Sequence, residues 1–590
     1  MAQNRGRYTA DGLKQLNDLH PPMDGVFVDL SDRIRRMSFS EQQSIMCKDG
    51  AHVAPAPGPF ANRGFVWLWV ANIIAALGIS VQGAASGWMM TDLAPNPMMV
   101  SLVQAAAQLP ILLLALPAGA LADLIDRRRY LILTNMLMLF SAAALATLTA
   151  LGLVDSLILL GATCLLSVGF ALNNPAWAAS VPLMVPRHAL PQALVLNAVG
   201  FNIARAIGPA LGGFILAFAG AASAFMLNVA SFAIVVAIVG LLLTFPNSRR
   251  IAGVPPEPLR SAMRVGMAYV AAEPVVRNAL VRTAAFFGFG SAMWAFLPLY
   301  CRDVLGLSSA FFGVMMGMIG VGAVAGGFTI RWLQERFSRN NLVMLAGTVC
   351  GFALVLTALF PFPAVAAVAL AIFGTGWVVG ASSLQATVQL ASAPWVRART
   401  LAFYQAVFNG AMGVGAIFWG WLGEYAGLTG TLMAAGLLGW VTALLMRAVL
   451  LPSEIQDPST STFPANRMVT IADEMVPLLS SARNRLVVAI SYEIDAADVP
   501  EFRTAMAQVR AARYRDGATG WILSQEVSDP MHWVETFHVR DWHEFQRGLA
   551  RVNQLDSIAV EHARSFHRGI TPPYIRLLLR EQSPVTSRRQ

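Results

Sequence analysis

Charge is scarce in this 590-residue chain, in which 13% of residues are Asp, Glu, Lys or Arg while 56% are hydrophobic. A soluble domain carries about 25% charged residues, so an ordinary soluble protein is excluded and a membrane protein is expected. Lysine is almost missing: of the 42 basic residues only Lys14 and Lys48 are lysine. The arginines are spread along the chain, so the net charge of +9 needs no nucleic acid as partner. The four cysteines, Cys47, Cys164, Cys301 and Cys350, stand singly with no CxxC spacing, which excludes a disulfide framework and a thiolate metal site. No GxxxxGK[ST] stretch is present, so nothing points to ATP as the driving force, and no cofactor or metal is expected. Acidic residues are absent from the middle of the apolar runs; only Asp92, Asp123, Asp303, Glu335 and Glu424 come near membrane depth. The first 60 residues are polar and lack the apolar core of a secretory signal.

What fills the chain instead is apolar sequence in lengths of about 20 residues, the number a helix needs to cross a hydrocarbon core of roughly 30 Å. Twelve spans are expected, at 65–90, 97–121, 130–151, 156–176, 191–217, 221–245, 279–301, 309–333, 342–360, 364–388, 400–423 and 427–450. Arginine falls on alternate loops: Arg127 to Arg129, Arg187, Arg249, Arg250, Arg260, Arg264, Arg277, Arg331, Arg336, Arg339, Arg397, Arg399 and Arg447 on one side, with Arg302 the exception on the other. Basic loops stay inside, so both termini are expected in the cytoplasm of a bacterial inner-membrane protein. The expected layout is a cytoplasmic tail 1–60, a six-helix half 61–245, a linker 246–278 with an amphipathic helix near 259–270, a second half 279–450, a polar linker 451–467 and a soluble domain 468–580.

An internal repeat supports the two halves. A shift of 207 residues aligns Gly119 with Gly326, Phe201 and Asn202 with Phe408 and Asn409, Gly208 with Gly415, and Gly213 with Gly420. Parallel halves of this kind bind substrate near the midplane where they meet. Between the second and third spans lies GALADLIDRRRY, from Gly119 to Tyr130, and the repeat pairs it with GGFTIRWLQERFSR, from Gly326 to Arg339. Topology alone accounts for the arginines, but not for Gly119, Asp123, Asp126, Arg127 and Arg128 at their spacing. The stretch resembles the loop signature of the major facilitator superfamily, with Asp126 where many members have glycine. The resemblance implies a gate role for Asp123 with Arg127 or Arg128, and for Arg331, Glu335 and Arg336 in the second hairpin.

The fifth span carries NIARAIGPALGG, Asn202 to Gly213. Pro209 removes a backbone donor, while Gly208, Gly212 and Gly213 admit a neighbouring helix closely. The stretch resembles the helix-five motif of the superfamily's exporters, with Ala204 where the first glycine is expected; an ordinary packing seam is the plainer reading. Polar side chains are costly in lipid and so mark the interior. Gln104 with Gln108, Gln385 with Gln389, and Gln405 with Asn409 lie four apart on single faces. With Gln82, Trp88, Asn202, Arg205, Trp294 and Trp377 they form the expected cavity for a small-molecule substrate that is neutral or weakly anionic and rich in aromatic or amide groups.

After Leu451 the sequence reads as soluble: a strand in RLVVAISYEI, an amphipathic helix over 499–516, strands in TGWILSQEV and HWVETFHV, and a helix from Asp541 towards His567. The order resembles half of a dimeric α/β barrel with a ferredoxin-like fold, the fold of small cofactor-free monooxygenases. His532, His538, His543, His562 and His567 gather here without a tight ligand pair, so the domain reads as a dimerisation or regulatory module, with a homodimer through it as one outcome. With the run ending ANIIAALG at Gly78, the resemblance extends over nearly the whole chain to the enterobactin-exporter and macrolide-efflux branch of the superfamily. It implies an all-α membrane transporter with an α+β tail, not an enzyme, exporting a hydrophobic or siderophore-like compound by proton antiport across the lipid bilayer. The rivals are an importer of the same fold and a bifunctional protein whose tail modifies the bound compound.

Overall fold

The computed structural model describes residues 58–186, 188–243, 259–451, 486–542, 544–545 and 554–579, leaving out the side chains of 116, 120, 123, 124, 198, 201, 202, 205, 206, 259–262, 554 and 555. Most of the N-terminal tail, the start of the 246–278 linker, the 451–467 linker and His543 lie outside the described residues.

From Asn62 onward the chain is a helical bundle followed by a small sheet domain. The helices are α1 (Arg63–Leu93), α2 (Pro97–Leu124), α3 (Arg127–Ala150), α4 (Ser156–Met184), α5 (Leu190–Ala237), α6 (Leu259–Ala272), α7 (Pro274–Leu299), α8 (Ser309–Arg336), α9 (Arg339–Leu359), α10 (Pro363–Ala391) and α11 (Arg397–Leu445). All but α6 are long and apolar enough to cross a membrane, ten among the described residues. Their starts are set by capping side chains: Asn62, Asn96, Asp126, Asp155 and Ser338 each accept a backbone N–H from the first turn of α1, α2, α3, α4 and α9.

The structure differs from the expected spans at two places. Residues 217–221 and 423–427 were expected to be breaks, yet α5 and α11 run through them with a single non-helical residue each, Gly220 (φ 78°, ψ 172°) and Gly427 (φ 68°, ψ 171°). The chain turns back at each. Before Gly220, Gly208 lies against Ser80 of α1; beyond it, Asn228 and Ser231 lie against Gly78 of the same helix. Before Gly427, Gly415 lies against Ser291 of α7; beyond it, Gly439 meets Phe289. A positive φ at this sharp reversal favours glycine, and the two glycines stand 207 residues apart, the interval of the internal repeat.

The sheet domain comprises β1 (Leu486–Glu493), α12 (Val499–Arg515), β2 (Thr519–Gln525), β3 (His532–Val539), α13 (Gln554–Ser565) and β4 (Tyr574–Leu579). The strands lie in the order β2-β3-β1-β4, all antiparallel, with Val488 opposite Phe537 and Leu577. β4 was not expected from the sequence: YIRLLL is short and its alternation is broken by consecutive leucines. The alternating inner positions of β1 and β3 (Val488, Ile490, Tyr492, Trp533, Phe537) bury against Phe502, Met506 and Val509 of α12.

Candidate functional site

The two helical halves approach each other most closely at the end that carries Asp92. There Arg302 Nη1 lies 2.7 Å from Asp92 Oδ1 and donates to Thr91 Oγ1 at 3.1 Å, joining the end of α1 to the turn after α7. Trp88 packs on Phe312 of α8, ring centres 5.4 Å apart. Glycines set the remaining contacts. A Cβ added at Gly213 of α5 would fall 2.4 Å from Gly313 Cα of α8, and one at Gly420 of α11 would fall 1.9 Å from Ser101 Oγ of α2. Towards the end that carries Arg127 the approach loosens. Along α11 a Cβ added at Gly423, Gly420, Gly413 and Gly410 would lie 2.7, 1.9, 2.8 and 3.3 Å from the nearest atom of α2. Gly317 has only Ala210 at 3.5 Å, and Gly119 and Gly327 meet nothing within 4 Å.

The helix-five glycines therefore divide their work. Gly208 and Gly212 seat α5 on Ser80 and Val81 of α1, with Pro209 between them, and Gly213 seats it on α8 of the other half. Gly119 is half-buried, and a Cβ added there would meet nothing within 4 Å among the described residues. Asp126 caps α3, accepting from Arg129 N at 3.0 Å. Arg127 donates to Ala179 O at 3.0 Å, and Arg128 donates to Gly240 O. These carbonyls close the ends of α4 and of the Ile238–Leu242 turn, where the helix dipole favours a cation. The side chain of Asp123 lies outside the described residues, as do those of Asn202 and Arg205. In the second hairpin Arg331 and Glu335 form an exposed pair at 3.4 Å and Arg336 covers the Trp332 ring at 4.3 Å.

Of the expected cavity aromatics, the structure brings Trp294 and Trp377 together, while Trp88 packs on Phe312. Trp377 lies 5.7 Å from Trp294, 4.9 Å from Phe287 and 5.5 Å from Phe373, and Phe287 is edge-on to Phe408 at 4.5 Å. Trp294 Nε1 is buried with no hydrogen-bond partner among the described residues. Gln108 is half-buried and faces Gly413 of the opposite half; Gln104 is half-buried one turn earlier. Gln82 is fully buried and accepts from Asn228 Nδ2, a lock within one half. Asn409 Nδ2 donates to the Gln405 carbonyl on its own helix, while the Gln385, Gln389 and Gln405 side chains are exposed.

Two features escaped sequence reasoning. The Asp92–Arg302 pair joins residues 210 positions apart, and only the isolated Arg302 on an otherwise arginine-poor side hinted at it. Arg282 in α7 is 1% exposed, donating to the carbonyls of Val449, Met446 and Asn340 and to the Asn340 side chain. An arginine inside the run ALVRTAAFF was the available signal. It ties α7 to the start of α9 and the end of α11.

In the sheet domain, fully buried Glu535 accepts from Tyr492 Oη (3.1 Å), Arg513 Nε (3.0 Å) and Trp521 Nε1 (3.0 Å). The histidines do not converge. His532 pairs with Asp529 at 2.9 Å, which raises the imidazole pKa and lowers that of the carboxyl. His567 Nδ1 accepts from Glu493 N, and no metal-capable group of three acidic, His or Cys side chains exists among the described residues.

Two helical halves joined at one end by the Asp92–Arg302 pair and by close glycine contacts, with an aromatic cluster inside the second half, have the architecture of a membrane transporter of the major facilitator type. The model of the transmembrane secretion effector family matches residues 54–585, and the chain belongs to that family. It is 25% identical to the staphyloferrin A transporter of Staphylococcus aureus over 50% of this chain and 72% of that one. It is 24% identical to the multidrug efflux pump Tap of Mycolicibacterium fortuitum over 64% of this chain and 94% of that one. Among solved structures, the nucleoside transporter NupG covers 66% of this chain and 99% of its own at 14% identity and a TM-score of 0.53. A bacterial homologue of the lysosomal transporter Spinster, inward-facing and occupied, covers 67% and 98% at 14% identity and 0.53. The likeness to these structures is one of fold.

Proposed function

We propose that the chain is a proton-coupled exporter with twelve crossings in two six-helix halves, moving a hydrophobic or siderophore-like compound out of a bacterial cell by alternating access. In this reading the two reversals at Gly220 and Gly427 complete the count of twelve. The Arg127 end and both termini face the cytoplasm, as the distribution of arginine requires, and the Asp92 end faces outward. The tail is a ferredoxin-like domain outside the transport path, with a regulatory or dimerising role.

The observation that carries the proposal is the asymmetry of contact between the halves: tight and latched by Asp92–Arg302 at one end, loose at the other. That is the geometry of a carrier open towards the Arg127 end. Relatives named as an efflux pump and a siderophore transporter support the direction and the substrate class. The aromatic cluster with a spare indole N–H at Trp294 favours a flat, weakly polar compound with acceptor oxygens.

The test is accumulation of dyes, macrolides and catecholate siderophores in inside-out vesicles. Uptake that collapses when the pH gradient is dissipated, and falls at least tenfold in Trp294→Ala, is expected. The latch gives a second arm, in which Asp92→Arg or Arg302→Asp alone slows uptake and the double exchange restores it. Gradient-independent uptake overturns the coupling, and loss of compound from loaded inside-out vesicles in place of uptake overturns the direction in favour of an importer.

A further inference from the structure

We propose that the C-terminal sheet domain is a docked regulator of the membrane bundle, holding linker helix α6 against the turn between α10 and α11 through Arg515. The inference rests on the alternating-access reading, since what it regulates is the movement of α11 against α2.

Two sets of contacts meet on α6. On the bundle side, Tyr269 Oη donates to Ala391 O and accepts from Ala393 N, both at 3.1 Å, with its ring edge-on to Trp395 at 5.7 Å. One turn earlier, a Cβ at Gly266 would lie 3.2 Å from Phe403 and 3.4 Å from Arg399 of α11. On the domain side, Arg515 at the end of α12 bridges Asp556 in the first turn of α13 and Glu273 immediately before α7, the latter at 3.7 Å. The three side chains are 18%, 4% and 19% exposed, so this is an enclosed cluster and not a surface pair. Val265 of α6 closes the seam against Gly517, whose added Cβ would lie at 3.3 Å.

The consequence follows from connectivity. Helix α6 belongs to the segment joining the two halves and also touches α2. The turn it grips leads directly into α11, whose Gly413 and Gly420 close on α2. A domain seated on α6 therefore bears on the linker and on the helix whose tilt opens or closes the Asp92 end. Burial raises the Glu273 carboxyl above its ordinary value while Arg515 opposes the shift.

The experiment uses the full-length chain in nanodiscs. Hydrogen exchange over 263–272 reads docking, exchange in β1 and β3 reads the integrity of the domain, and spin labels at Gly119→Cys and Gly327→Cys in a background lacking the native cysteines read the opening between the halves. In Arg515→Ala and in Glu273→Gln, exchange in α6 is expected to rise at least tenfold with β1 and β3 unchanged, and the label distance distribution to shift its populations severalfold. Faster α6 exchange with an unchanged distance distribution makes the docking purely structural and overturns the proposal, as does unchanged α6 exchange in both variants. Glu273→Gln lies outside the domain, so the test stands even where Arg515→Ala unfolds it. Neither readout needs substrate or a gradient, so a wild type that shows two populations of opening but no transport defeats the functional reading alone.

Discussion

Glycine decides where the halves touch. Gly213 faces Gly313 with no side chain on either backbone, and the atom an added Cβ would meet is a Cα that cannot rotate away. Overpacking a tight site costs about 1–3 kcal/mol, and each 1.4 kcal/mol is a tenfold change in an equilibrium. Gly213→Val is therefore expected to move the population away from the closed Asp92 end by about one to two orders of magnitude. The labelling rate of a cysteine placed at Met98 should rise accordingly in the variant; an unchanged rate would mean that α5 and α8 do not set closure. Gly213 was legible as a close-packing residue, because small residues in an apolar helix signal contact. Its partner was not, since nothing in NIARAIGPALGG says which helix arrives. Asp92 and Arg302 repeat the lesson: each was visible as an oddity, but their pairing depends on where α1 and α7 end in space.

At the scale of elements, the chain reverses direction inside α5 and α11 on single glycines in the left-handed region. An alanine forced into such a φ costs roughly 1–2 kcal/mol, to which the entropy of the more flexible unfolded glycine adds little of opposite sign. Gly220→Ala and Gly427→Ala are each expected to lower the thermal midpoint of the detergent-solubilised chain by a few degrees, with effects that add where the two reversals melt independently. A strongly non-additive double variant would show that the two reversals fold as one unit. Apolar length gives twelve spans from the sequence against ten long helices among the described residues, because hydropathy reads a one-residue reversal as a short break. The repeat interval of 207 residues would have paired Gly220 with Gly427 had the comparison been extended beyond the motif residues. In the sheet domain the period of two along HWVETFHV puts Trp533 and Glu535 on one face, and Glu535 is the buried acceptor of three donors.

For the molecule as a whole, α7 is the axis of the second half. It is buried over 78% of its most apolar stretch, more than any other spanning helix, and Arg282 fastens it to chain that comes much later, 164 residues on at Met446 and 167 at Val449. During synthesis this arginine reaches the translocon long before the carbonyls that will hold it exist. An arginine at the centre of a spanning helix costs about 2.5–3.5 kcal/mol; Arg282 lies nearer the end of α7 that meets the start of α9, where the cost is smaller, and its partners arrive only with α9 and the end of α11. A chain truncated before Met446 is accordingly expected to leave α7 incompletely inserted in a glycosylation-mapping assay, and Arg282→Leu to cure that defect in the truncated chain. The end of the membrane bundle thus supplies the partners of its middle, and the sheet domain is made after both.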